Sequence, residues 1–152
     1  MAKYNARDWL FEVTPDPEAT TPVWTRIEGV NTFTKSPSAN EATVETTDFD
    51  SQGEYEGQVL QRGASLQLAG QKKLNAAGTG SAPGQAACDE LAQALGEESL
   101  GGVRFRHQTE ESWEQWTAYA SSADEGGGNN DKSSWGVTFT RSGPKSTVAV
   151  TP

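Results

Sequence analysis

The side chains with the best claim to reactivity are Cys88 and His107, each the sole residue of its type in the chain. A nucleophilic pair would need them in hydrogen-bond reach of each other. Cys88, however, falls on an apolar stripe with Leu91, Ala92 and Leu95, at i, i+3, i+4 and i+7 of a helical pattern. His107 shares a strand side with Val103 and Phe105. Both read as packed structural residues, so no catalytic residue is assigned. One Cys and one His are too few for a zinc site. Asp48, Asp50 and Gln52 before Gly53 resemble the start of a calcium loop, but the twelfth position, where a bidentate Glu belongs, is Val59. The Glu97/Glu98 and Glu110/Glu111 pairs read as solvated turns. Gly126–Gly128 lack the Lys-Ser/Thr of a phosphate loop. Trp113 and Trp116 could stack bases or sugars, yet core or interface burial suits large aromatics in an acidic chain better. The chain therefore predicts no enzyme, no cofactor and no metal.

These residues must be carried by a β-rich scaffold. The chain has 152 residues with 16 Gly and 7 Pro, and Thr, Val and aromatic residues crowd its alternating segments. Strands are expected over 9–14, 23–28, 41–47, 58–70, 103–108, 113–121, 135–141 and 146–150, the last two as a hairpin across 142–145. Residues 31–40 are expected as an exposed loop, 72–84 as a linker, 85–95 as the one helix and 124–132 as a turn. The expected architecture is mainly β, a β-sandwich or partly closed barrel with one flanking α-helix, in one domain over 1–152. A flexible N-terminal arm (1–7) and a long hairpin tip (48–57) are expected to be disordered before any assembly.

The net charge is −9 and the sequence pI about 4.5. Nucleic-acid affinity comes mainly from Lys and Arg at phosphates, so this balance disfavours gripping DNA. A single cysteine excludes an internal disulfide. The N-terminal residues have no apolar secretory core, and no window approaches a membrane span. Folding in a reducing cytoplasm, with no membrane partner, is the expectation.

Residues 24–72 carry an ordered set of segments. A W-x-x-I-x-G-V strand (24–30) is followed by a polar loop and an acidic tip, EATVETTDFDSQGEYEG (41–57). A G-x-S-L-x-L-x-G return strand (63–70) completes the block. With the single central helix and the G-V-x-F segment at 136–139, this order resembles the major tail tube proteins of long-tailed (siphovirus) bacteriophages. The resemblance covers most of the chain. It implies a structural virion protein whose subunits form homohexameric rings, stack into a hollow tail tube and lend strands to a shared inner β-barrel. Viral DNA would pass down that lumen into the host. The implied partners are the protein itself, the tape measure protein and double-stranded DNA in the lumen without sequence-specific binding, and tail terminator and tail tip proteins at the ends. Location in the virion tail, after assembly in the bacterial cytoplasm, is implied too. Six copies at −9 each would carry −54 per ring.

Within that picture, alternation makes Glu41, Glu45, Gln61, Ser65, Gln67, Arg104 and Arg106 the candidates to line the lumen. Asp48, Phe49, Asp50, Gln52, Glu54 and Tyr55 are the candidates for contact between rings, with Phe49 and Tyr55 as apolar anchors. Some relatives bear an extra C-terminal immunoglobulin-like domain; none is expected here. Two alternatives stay open: a tube or terminator subunit of a contractile tail or injection system, and a carbohydrate-binding β-sandwich using Trp113, Trp116 or Trp135.

Overall fold

The computed structural model describes residues 2–150. Met1, the first residue of the expected arm, lies outside the described residues. The order of strands is β1 (Trp9–Thr14), β2 (Thr25–Arg26), β3 (Val30–Ser36), β4 (Ala42–Glu45), β5 (Gly57–Gln61) and β6 (Ser65–Gln71). After helix α1 (Pro83–Gln93) come β7 (Gly101–His107), β8 (Ser112–Ser122), β9 (Ser134–Arg141) and β10 (Ser146–Ala149). Eight strands form one antiparallel sheet in the order β2-β1-β7-β8-β9-β6-β3, with β10 added on β8; β4 and β5 form a separate two-stranded ribbon.

The large sheet curls over itself. Phe33 of β3 reaches Trp9 and Phe11 of β1, with ring centroids 5.5 and 5.2 Å apart. Alternation decides what the curl encloses. Phe11 and Val13, Val103 and Phe105, Trp116 and Ala118, Val137 and Phe139, and Leu66 and Leu68 turn inward and are buried. Burying Leu66 and Leu68 completely stabilises the fold by about 1.5–3 kcal/mol each. The expected mainly-β fold with one helix is therefore observed, as a curled sheet that does not close into a barrel. Strands β2 and β3 end its path.

Helix α1 plugs the mouth of the curl. Pro83 occupies its first turn, where a missing N–H costs nothing. A Cβ on Gly84 would collide with the Arg26 carbonyl, so only glycine lets the helix approach β2 this closely. Cys88 and Leu91 are buried, Leu91 lies against Gly101, and Trp135 donates its indole N–H to Asp89 at 3.0 Å.

Four sequence expectations are corrected. Residues 31–40 are largely strand β3, paired with β6 from Val30↔Gly70 to Ser36↔Ser65. The segment 58–70 is not one strand: Arg62–Ala64 separate β5 from β6, which belong to different sheets. There Gly63 backs onto the Ala39 carbonyl, too close for any side chain. The last two strands make no hairpin. Strands β9 and β10 follow each other along one edge of β8, Arg141 opposite Ala118 and Ser146 opposite Gln115. Finally, α1 ends at Gln93, Ala94 is extended, and Leu95 is 86% exposed instead of completing the apolar stripe.

Candidate functional site

The enzyme-like residues sit far apart. His107 stacks on Tyr4 at 4.1 Å between ring centroids, and its Nδ1 lies 2.8 Å from the Thr109 hydroxyl. It ends β7, whereas the helix bearing Cys88 packs at Gly101, the other end of that strand. At ~3.3 Å per residue the two ends are about 20 Å apart. Burial, then the neighbouring Asp89 charge, pushes the Cys88 thiol far above its ordinary pKa, so it holds its proton and is no nucleophile. No group of three or more metal-ligating side chains occurs among the described residues. Trp113, Trp116 and Trp135 are 6%, 1% and 2% exposed, so none forms a sugar-binding platform.

The most exposed paired element is the ribbon of β4 and β5. Every residue of both strands is exposed. A lone two-stranded hairpin is marginal in water, and both faces of this one are wet. Its pairing runs from Ala42↔Gln61 to Glu45↔Gly57 and continues through Thr46 and Thr47 to Glu56. Residues 42–47 thus carry the tip about 20 Å out, at ~3.3 Å per residue. A bulge between Ala42 and Thr43 leaves Leu60 unopposed and sets Gln61 across from Ala42. Gln61 is thereby taken out of phase with Glu45. At the arm's root Glu41 pairs with Arg62 at 3.0 Å, and Gln61 donates to the Asn40 carbonyl at 2.6 Å.

At the tip, Phe49–Ser51 form a short 3-10 turn. The Asp48 carboxylate accepts from the Ser51 N–H at 3.1 Å, and the Ser51 hydroxyl accepts from the Asp48 N–H at 3.2 Å. This reciprocal cap is what Asp48, the first acid of the calcium-loop-like segment, does here. Phe49 is fully exposed and Tyr55 is 72% exposed, flanked by the exposed Asp50, Gln52 and Glu54. Asp48→Ala removes the cap and is expected to cost the tip about 1 kcal/mol. Faster amide exchange at Ser51, with the global melting temperature unchanged, is the outcome that checks it.

The remaining sequence candidates divide between two places. Ser65 and Gln67 stand on the outer face of β6, within two cross-strand rows. One runs Ser36, Ser65, Thr140, Tyr119 and the other Thr34, Gln67, Thr138, Ser121. Neither row contains a charge, despite the chain's net −9. Thr34 and Ser36 escaped sequence analysis because their strand reads as loop; a Thr at every second position (Thr32, Thr34) was the available signal. Arg104 and Arg106 instead have local partners. Arg104 bonds Glu12 through Nε at 2.7 Å and lies over the Trp24 and Trp113 rings at 4.4 and 4.5 Å. Arg106 also lies over the Trp113 ring, at 4.9 Å, and donates to the Gln108 and Glu110 carbonyls at 3.2 and 3.0 Å.

No protein-family model and no curated protein matches the chain. Solved structures do match its fold. A chain of the virion of a native gene transfer agent particle superposes with a TM-score of 0.70 at 21% identity, over 97% of this chain and 100% of that one. A chain of the tail of an empty gene transfer agent particle with C6 symmetry gives 0.69 at 21% identity, again over 97% and 100%. A chain of the six-fold symmetrised baseplate of the anti-feeding prophage gives 0.58 at 12% identity, over 100% and 99%. The protein thus has, along nearly its whole length, a fold that also occurs in the tails and baseplates of phage-like particles.

Proposed function

We propose that the protein is a structural tail subunit that forms hexameric rings, and that these rings stack into a hollow tail tube conducting double-stranded DNA into a bacterial host. The observation that carries this reading is the arm: a folded ribbon, wet on both faces and tipped by Phe49, on a fold shared end to end with a chain of a C6-symmetric tail. An arm of this kind gains stability only against another molecule, and Asp48, Phe49, Asp50, Gln52, Glu54 and Tyr55 are its contact residues. The Ser65 and Gln67 rows are the best-suited lumen wall. Hydroxyls and amides offer phosphates no cation to hold them, while Glu45 adds repulsion on the arm and Glu41 is balanced by Arg62 at its root. Arg104 ties β7 to Glu12 of β1, and Arg106 ties it to Trp113 of β8 and to the β7–β8 turn. The tape measure protein fills the lumen before DNA, and tail terminator and tail tip proteins close the ends.

A tube or terminator of a contractile tail or injection system is the second reading, favoured by the shared fold with a baseplate chain. Negative-stain microscopy tests the first. The purified chain, seeded with a tail-tip initiator, is expected to form six-fold rings or tubes. A protein that stays monomeric at high concentration with the initiator present would refute the reading. Tubes that acquire a regular outer sheath from the neighbouring gene's product would favour the second.

A further inference from the structure

The curled sheet leaves a seam where its ends meet, and the seam holds a cleft of about 870 Å³. Its floor is aromatic: Trp9, Phe11 and Phe33. Its rim carries Arg7, Arg26 and Lys73. Arg7 and Arg26 are exposed and make no ion pair among the described residues, while Lys73 lies 3.6 Å from Glu28, the one carboxylate of the lining. One wall is β3, which is hydrogen-bonded to β6 on one side only. In a chain of net −9, an unsatisfied cationic rim over an apolar floor is a local inversion of the surface.

The arm is its chemical complement. Residues 42–61 contain Glu45, Asp48, Asp50, Glu54 and Glu56 and no Lys or Arg. Its two large aromatics, Phe49 and Tyr55, are the side chains that an apolar floor would cover. We propose that the seam cleft of one copy receives the arm tip of a second copy, Phe49 and Tyr55 lying over Trp9 and Phe33 while Asp50 and Glu54 meet Arg7 and Arg26. This rests on the self-assembly reading above and names the receiving surface. Because the charges lie at a rim, attraction between them speeds encounter and fixes register. It weakens as salt shortens the screening length to about 8 Å at 0.15 M.

Charge exchange tests the proposal. Asp50→Lys with Glu54→Lys, and separately Arg7→Glu with Arg26→Glu, are each expected to raise the protein concentration needed for assembly by about tenfold or more. All four substitutions in one chain are expected to restore assembly. All four residues are solvent-facing, and far-UV circular dichroism of the monomers checks that each variant folds. Bismaleimide cross-linking adds a direct readout: Gln52→Cys and Thr32→Cys on separate copies are expected to link between copies, with the buried Cys88 silent. If the wild type assembles but the cleft pair changes nothing, or the four-fold variant fails to recover, the cleft is not the receiver and the tube reading still stands. If the wild type never assembles, the tube reading falls with it.

Discussion

Gln85→Leu is expected to lower the unfolding free energy by about 3–5 kcal/mol, although Leu nearly matches the side chain in size. Gln85 is fully buried at the start of α1 and serves three backbone groups at once. Its Oε1 accepts from the Lys73 N–H at 2.9 Å, and its Nε2 donates to the carbonyls of Glu28 and Gln71 at 2.9 and 2.8 Å. One amide thus ties the helix to the turn before β3 and to the end of β6. Leu would bury two carbonyls and one N–H without partners, each costing about 1–3 kcal/mol. Against a typical total of about 5–15 kcal/mol this is a large fraction. Gln85→Glu is expected to be at least as damaging, because a carboxylate would face two carbonyl oxygens and lose both donors. Urea denaturation of the monomer measures both; a loss below about 1 kcal/mol for Leu would contradict the clip.

Trp116→Ala is expected to cost about 3–5 kcal/mol, by lost transfer energy and by the cavity left behind. Trp116 is 1% exposed at the centre of the curl, edge-on to Phe105 with centroids 5.1 Å apart, and its indole N–H donates to Glu114 at 2.8 Å. Trp116→Phe keeps most of the volume and loses that bond, so about 1–2 kcal/mol is expected for it. Equal losses for Phe and Ala would place the stabilisation in the Glu114 bond and not in packing. The same chemical denaturation series decides between them.

How far these features were legible depends on what each one physically is. The apolar residues Phe11 and Val13, Val103 and Phe105, and Val137 and Phe139 sit two apart and are buried in β1, β7 and β9, and the sequence placed strands over all three segments. It also found α1 through Cys88 and Leu91, but ran on to Leu95 because a stripe carries no record of where the backbone turns extended. Strand β3 is polar and paired on one side, so its residues lack the hydrophobic signal of an interior strand. The split between β5 and β6 was hidden because Leu60, Ala64, Leu66 and Leu68 stay in phase across it. What breaks the strand is the approach of the Ala39 carbonyl to Gly63, a contact between distant segments. Strand β10 misled for a similar reason: four intervening residues with Gly143 at φ +89° look like a hairpin turn, and only β8 reveals that they loop out of a continuing ladder. Gln85 reads as a solvated helical polar residue until the three backbone groups around it are placed.

The site was legible in parts. The acidic arm and its two aromatics stand out as a sequence block, whereas the cleft exists only once residues 7, 26 and 73 meet across the seam. Arg104 and Arg106 alternate as surface residues should, yet Trp24 and Trp113 enlist them.

The capped tip has a consequence for dimensions. A limb whose tip carries its own cap would surrender less freedom on engaging than an uncapped one, so modest contacts would suffice to hold it. Being the same length on every copy, it would also act as a ruler: the spacing from one layer to the next would be set by covalent geometry, and a filament built this way would keep a constant repeat from end to end.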